Sequence, residues 1–199
     1  MDESATSVLD PAALPLSQRR RRTAIVDAAI ELLKVRDLDS VQIREVAETA
    51  GVALGTVYRY FSSKDHLYAA AMLQWASDYP PWVSKQARGD TDAERLRASF
   101  HRAINAFERT PQMFRVLMAI ETSADDNARD LYNAFAEQNR GALLSGLLDL
   151  DAPVATAVLG TINAVMFAQL RRWAYGRASI RAVHRAVDDS IGLIFSPPP

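Results

Sequence analysis

Apolar residues recur along most of this chain at intervals of three and four, and the intervals reset at recognisable punctuation. Positions i, i+3 and i+4 share one face of an α-helix. Ile25, Ala28, Ala29, Leu32 and Leu33 therefore form the inner stripe of a first helix ending near Val35. Leu38, Val41, Ile43, Val46 and Ala47 supply a short second helix. It stops at Gly51, a residue that takes the positive φ of a tight turn without steric cost. A third short helix is expected over about Leu54–Phe61, and Ser62 with Asp65 offers a capping-box start to a fourth running to about Gln86. Beyond Gly89 the helices lengthen. Phe100, Ile104 and Phe107 mark a fifth, and Thr110-Pro111 opens a sixth with proline in its first turn. Leu131, Phe135 and Gln138 lie on a seventh, while Asp151 and Pro153 open an eighth through Ala164, Phe167, Leu170 and Trp173. The ninth follows Ser179, with Val183, Val187, Ile191 and Ile194 on its stripe. No strand-like alternation interrupts the series. The pattern predicts an all-α protein of about nine helices: an N-terminal three-helix module over residues 17–64 and a larger helical domain over 65–196. Residues 1–16, with two prolines, small side chains and acids without periodicity, are expected to form a disordered leader.

Composition narrows the function. The 199 residues suffice for one mid-sized domain or a small module joined to a larger one. The absence of cysteine excludes disulfides, thiolate metal sites and thiol catalysis, and fits a cytoplasmic location. No run approaches the roughly 20 uninterrupted apolar residues of a membrane span, and the first sixteen residues lack the basic start and apolar run of an export signal. The formal net charge of -1 gives no general argument for nucleic acid, so the placement of charge decides. From Ser17 to Lys64, nine Lys or Arg stand against six Asp or Glu, with four cations in the run Arg19–Arg22. Alone, such a run is an ordinary solvated helix start, because adjacent like charges repel and stay wet. Catalytic chemistry has no foothold. His66, His101 and His184 are far apart without His-Glu-x-x-His or comparable metal spacing, and Ser145 has no nucleophile-elbow context. Asp125-Asp126 and Asp188-Asp189 are adjacent pairs that point to different sides of a helix. No enzyme activity, metal or cofactor is expected.

The segment Ile43–Phe61 has the plan of a DNA-binding helix-turn-helix: short helix, glycine-bearing turn, short helix. Val46, Ala47, Val52, Val57 and Phe61 can form a small core that sets the second of these helices at a steep angle. That arrangement leaves Leu54, Gly55, Thr56, Tyr58 and Tyr60 on exposed faces. Small residues at the helix tip let the backbone approach base edges. Thr56 can donate, accept or touch a thymine methyl, while Tyr58, Tyr60 and Lys64 reach phosphates that fix register. Lys64 also begins a helix, whose free amides favour an anion. In this setting Arg19–Arg22, read as a basic arm just before the first helix, could follow a phosphate track or a minor groove.

The run Val52-Ala-Leu-Gly-Thr-Val-Tyr-Arg-Tyr-Phe-Ser-Ser-Lys64, preceded by an Arg-Glu-Val-Ala helix and followed by Leu67, resembles the TetR family of one-component bacterial regulators. The likeness is specific over roughly Arg20–Leu73; beyond it only length and helix count agree. The basic start of the first helix and the Tyr-Arg-Tyr-Phe run look most like the KstR-like branch of steroid-catabolism repressors. Carried over by position, the resemblance implies DNA contacts from Arg44, Gly55, Thr56, Tyr58, Tyr60 and Lys64, with Leu54 restricted to apolar contact. Two positions depart from the family pattern: Gln42 and Ala53 stand where a helix-capping Ser or Thr is usual. A missing cap costs about 1 kcal/mol of local helix stability. The target sequence does not transfer from a relative.

The resemblance also implies a C-terminal domain that dimerises and holds an effector. Trp75, Phe100, Ile104, Phe107, Phe114, Met118, Phe135, Met166 and Trp173 are large, adaptable apolar residues that suit either a ligand pocket or ordinary core. Glu121, Asn163 and Gln169 lie near apolar faces, where each could orient a polar group or simply face solvent. Homodimerisation is expected through helices eight and nine, with Val158, Ile162, Phe167, Val183, Val187 and Ile191 in a four-helix interface about a twofold axis. Paired recognition helices then meet half-sites about one turn, roughly 34 Å, apart, so the double-stranded DNA operator should be an inverted repeat. The expected function is a sequence-specific transcriptional repressor released by an apolar small-molecule effector, through a shift of the fourth helix. Reversing a 99:1 preference takes about 5.5 kcal/mol of differential affinity. That favours a large effector, such as the lipid or steroid acyl thioester the branch suggests, over a small polar ion. The alternative is an architectural DNA-binding protein without effector response, which would carry a stronger positive surplus and have no use for a helical domain of about 130 residues. Repressor and activator differ in where the operator lies relative to a promoter, which no residue encodes.

Overall fold

A computed structural model describes residues 14–78 and 89–196. Most of the expected leader and the expected end of the fourth helix near Gln86 lie outside the described residues. Within them the chain forms nine α-helices and no strand. They are α1 (Leu16–Val35), α2 (Ile43–Thr49), α3 (Leu54–Tyr60), α4 (Lys64–Asp78), α5 (Asp92–Arg109), α6 (Pro111–Glu121), α7 (Asp126–Leu144), α8 (Ala152–Ala174) and α9 (Ile180–Phe195), with a 3-10 turn at Leu38–Ser40 before α2. The all-α expectation holds. The chain divides into two compact units: one runs up to Ala76 and takes in Arg115–Ala134, the other comprises Ser77–Phe114 and Phe135 onward.

In the first unit α1 buries Ile25, Val26, Ala28, Ala29, Ile30 and Leu33 and packs on α2 and α3. Val41, Val46, Val57, Phe61 and Leu67 complete an almost fully buried core. Each such side chain contributes roughly 1.5–3 kcal/mol of burial, which offsets the poor stability of seven-residue helices on their own. Helix α1 follows Pro15 directly, so it is under way inside the segment read as leader, and Leu14 is buried. This corrects the reading of Arg19–Arg22 as an arm ahead of the helix. The four arginines occupy its first two turns and point in four directions at 100° per residue. Arg19 Nε donates to the Leu14 carbonyl at 2.8 Å, and Arg22 folds over the Phe61 ring at 4.8 Å. Arg20 and Arg21 stay exposed.

In the second unit Thr91 and Glu94 form a capping box at the start of α5: Glu94 N–H donates to Thr91 Oγ1 at 3.3 Å, and Thr91 N–H to Glu94 Oε2 at 3.2 Å. Asp92, fully buried, accepts from the backbone N–H of Leu148 (2.9 Å) and Asp149 (3.0 Å) and pairs with Arg95. Arg95 Nε in turn donates to the Gly146 carbonyl at 2.8 Å, tying the start of α5 to the α7–α8 loop. Helix α9 packs against both α5 and α8. His101 and His184, distant in sequence, meet edge to face with ring centroids 4.5 Å apart. His101 Nε2 lies 2.9 Å from Asp188 Oδ1, and His184 Nε2 lies 3.1 Å from Asn105 Oδ1. Arg97 Nε donates to Asp188 Oδ1 at 3.1 Å, so this group forms an internal polar clasp between α5 and α9.

The expected dimer residues are corrected in kind. Val158, Ile162, Val183, Val187 and Ile191 are buried inside the single chain, and Phe167 is half-buried beside Phe114. Helix α8 has a second, outward side of small and apolar residues, Val154, Ala157, Gly160, Thr161, Ala164 and Ala168, all exposed. Leu193 of α9 is 82% exposed. Over its most apolar window α8 has a mean hydropathy of 1.5 and is only one-third buried. It is the one described helix long and apolar enough to cross a membrane, although Thr156, Thr161, Asn163 and Gln169 interrupt its apolar run.

Candidate DNA-binding site

The turn between α2 and α3 is set by Gly51, whose φ of 66° lies in the left-handed region. Gly51 N–H donates to Glu48 O at 3.1 Å, and Val52 N–H to Ala47 O at 2.9 Å. These two bonds form a Schellman closure, which satisfies the last carbonyls of α2 and redirects the chain within three residues. At its other end α2 lacks a Ser or Thr cap, but Glu45 compensates. Its Oε2 accepts Gln42 N–H at 2.9 Å, and its Oε1 accepts from Arg36 Nη1 at 2.5 Å, locking the end of α1 to the start of α2. The Arg36 bond and the Gln42 bond hold the Glu45 carboxyl below its ordinary range. Ala53 precedes α3 with no side-chain cap, as expected from sequence.

Helix α3 then presents two faces. Val57 and Tyr60, with Phe61 just beyond the helix, are buried, at spacings of three and four. Leu54 (41%), Gly55, Tyr58 (49%) and Arg59 are exposed, and Thr56 is half-buried. A Cβ built on Gly55 would meet nothing within 4 Å, so the helix tip is open to a close-approaching surface. Tyr60 departs from expectation: placed on the exposed face from sequence, it is 1% exposed. It lies three residues after Val57, so helical geometry carries its ring inward with Val57 and Phe61. Arg59, absent from the residues singled out by sequence, is the basic side chain α3 exposes. Its position as the one Lys or Arg in Leu54–Tyr60 was the available signal.

Two flanking cations complete the surface. Arg44, on α2, is exposed and paired with Glu48 at 3.8 Å, both side chains more than two-thirds accessible. A pair so exposed is worth little and yields readily to a phosphate. Lys64 opens α4 with its Nζ 5.2 Å from the Tyr68 ring centroid. The helix is capped by Ser63, whose Oγ accepts His66 N–H at 3.1 Å. This displaces the expected Ser62–Asp65 box by one residue. Ser62 instead donates its N–H to His66 Nδ1 at 3.2 Å, and the His66 ring stands edge-on to Phe61 at 5.3 Å. Burial and the neighbouring Arg22 lower the His66 pKa against the pull of Asp125. The ring is therefore neutral and able to accept at Nδ1. Burial likewise lowers the pKa of Arg22.

The residues considered for a ligand divide between the two units. Phe100, Ile104, Phe107, Phe114 and Met166 are buried in the second, and Phe135 there is half-buried. Phe107 meets Phe114 edge to face at 5.3 Å, and Phe114 meets Phe167 at 5.9 Å. Trp75, buried, and Met118, half-buried, belong to the first unit. A recess between α5 and the end of α7, lined by Arg95, Leu96, Ser99, Leu143, Gly146 and Leu147, has no room for a water molecule and involves none of them.

Comparison with known proteins agrees with this geometry. The N-terminal model of bacterial regulatory proteins of the tetR family matches residues 25–71, and a tetracyclin repressor-like C-terminal domain matches residues 89–194, more than half of the chain. The HTH-type transcriptional repressor KstR of Mycobacterium tuberculosis is 28% identical over 181 residues, 89% of this chain and 82% of that one. The HTH-type transcriptional regulator BetI of Rhizobium meliloti is 26% identical over 176 residues, 87% of this chain and 85% of that one. The crystal structure of a TetR transcriptional regulator from a Rhodococcus species superposes with a TM-score of 0.76 at 25% identity, covering 90% of this chain and 98% of that one. The chain belongs to the TetR family of bacterial regulators and is a non-enzymatic, DNA-binding transcriptional regulator.

Proposed function

We propose that the protein is a homodimeric, cytoplasmic repressor that reads an inverted-repeat operator and leaves it on binding a large apolar effector. The observation that carries this reading is the two-sidedness of α3: Val57 and Tyr60 anchor the helix in the core while Leu54, Gly55, Tyr58 and Arg59 are exposed and Thr56 is half-buried, with Arg44 and Lys64 flanking them in sequence. In this reading Leu54, Gly55 and Thr56 approach base edges, and Arg44, Tyr58, Arg59 and Lys64 hold phosphates. Tyr60 supports the helix without touching DNA. Repression is supported by the likeness to KstR, itself a transcriptional repressor.

Dimerisation is assigned to the outward side of α8 with the exposed end of α9. A helix this apolar and this little buried needs a partner face, and small residues such as Ala157, Gly160, Ala164 and Ala168 let two copies approach closely across a twofold axis. The effector is assigned to the second unit, among Phe100, Ile104, Phe107, Phe114, Phe135 and Met166, whose apolar surfaces suit an acyl or steroid thioester. Its binding shifts α4, whose first residue is Lys64, and spoils the half-site spacing of roughly 34 Å. The test is release of a labelled operator duplex by long-chain acyl and steroid acyl thioesters, with the free thiol carrier as control. Release by an acyl thioester alone supports the reading. Binding indifferent to every apolar compound, with equal affinity for random duplex, would favour an architectural protein.

A further inference from the structure

The turn joining α6 to α7 lies in the same compact unit as the helix-turn-helix, although it comes some sixty residues later in the chain. Asp125 in that turn divides its carboxylate between two elements. Oδ1 accepts from the backbone N–H of Asn127 at 2.8 Å and of Ala128 at 3.3 Å, capping α7. Oδ2 accepts from the Ser62 hydroxyl at 2.7 Å, and Ser62 directly follows Phe61, the residue that caps α3. Asn127 Nδ2 donates to the same Ser62 Oγ at 3.1 Å. A second strut runs beside it, from the Ser123 hydroxyl to Asp65 Oδ2 in the first turn of α4 at 2.7 Å. Burial pushes the Asp125 carboxyl up, but the hydrogen bonds from Ser62, Ser63 and the α7 amides outweigh it and hold the group at about 2. It is an anion at any physiological pH. Because the backbone N–H and the hydroxyl of Ser62 are both committed within the protein, this serine is a bearing on which the exit of α3 rests.

We propose that Ser123, Asp125 and Asn127 are positioning residues for DNA recognition, which fix the exit of α3 and the start of α4, and so the aim of Tyr58 and Lys64, without themselves touching DNA. This rests on the reading of α3 as the recognition helix. One carboxylate grips both the first turn of α7 and Ser62, two residues past α3, so a displacement of α7 at this end carries the recognition helix with it.

The test compares full-length wild type, Asp125→Ala, Asp125→Asn, Ser62→Ala and the Ser62→Ala/Asp125→Ala double variant, each with its DNA-active fraction titrated. Affinities for an operator selected by the wild type and for a random duplex are measured across a salt series well below every melting temperature. Loss of aim predicts about tenfold weaker operator binding for Asp125→Ala, little change on random duplex, and an unchanged salt slope because no phosphate contact is removed. The double variant should match the worse single variant, and Asp125→Asn, which keeps one accepting oxygen, should recover part of the loss. Unchanged operator affinity with only a lower melting temperature would reduce the latch to a structural role and overturn the proposal. Weaker operator binding by Ser62→Ala with Asp125→Ala binding like wild type would also overturn it, by making Ser62 a direct DNA contact and not a bearing held by Asp125. A wild type that cannot tell operator from random duplex would instead defeat the recognition-helix reading and this proposal with it.

Discussion

Tyr58 and Tyr60 are two residues apart, chemically identical and oppositely placed, so substituting each should separate stability from DNA binding. Tyr60 is 1% exposed, and among the described residues its hydroxyl has a long 3.5 Å contact from Arg59. Tyr60→Ala empties a ring-sized volume in the small core beneath α3, which costs roughly 3–5 kcal/mol. For a chain of this length each kcal/mol lowers the melting temperature by roughly 2–4 °C, so a fall of about 10 °C is expected. Tyr60→Phe removes only the hydroxyl and should leave both melting and operator affinity nearly unchanged. Tyr58 is 49% exposed and leaves no cavity when shortened. Tyr58→Ala should therefore shift stability by no more than about 0.5 kcal/mol, while loss of a hydroxyl bonded to a charged phosphate weakens operator binding by about 1.5–3 kcal/mol, tenfold or more. Scanning calorimetry and fluorescence anisotropy on a labelled operator read the two effects independently. A Tyr60→Phe protein that melts normally and binds tenfold more weakly would refute the assignment, as would a Tyr58→Ala protein that binds like wild type.

Three further outcomes follow from the packing. Leu193→Glu and Ala164→Glu place charge on the exposed side of α9 and α8 without disturbing the protomer core, and sedimentation at micromolar concentration should find a dimer for the wild type and a monomer for each variant. Asp92→Ala leaves the Leu148 and Asp149 backbone amides without their buried acceptor while Arg95 keeps Asp149, and chemical denaturation should show a loss of about 1–3 kcal/mol. Asp125 titrates at about 2 in the folded protein against an ordinary 3.8, so its contribution is complete above pH 4 and is lost as pH falls towards 2. Discounted for partial exposure this is at most about 2 kcal/mol. In acid denaturation Asp125→Asn should therefore be less stable than wild type above pH 4, with the difference closing towards pH 2.

Much of this architecture was legible because local chemistry announces it. Gly51 marks the turn because only a residue without Cβ takes that φ cheaply, and the three- and four-residue spacing of apolar side chains locates each helix. The misplacements arise where a residue type suggests one environment and helix phase imposes another. Tyr60 carries a hydroxyl, but its register with Val57 and Phe61 takes it into the core. On α8 the bulk of Val158 and Ile162 suggests an interface, yet both are buried within the chain, while the free face is mostly alanine, glycine and threonine beside Val154. The contacts of Ser62 with Asp125 and of His101 with Asp188 span 63 and 87 residues, and no local pattern encodes such pairings.

The most direct test is selection of bound sequences from a random DNA pool, run in parallel with a Tyr58→Ala/Lys64→Ala variant. The wild type should enrich one inverted repeat, with half-sites about one helical turn or a multiple apart, and the variant should lose it. Pools that stay random at moderate salt, or an equal enrichment by the variant, would contradict the recognition-helix reading.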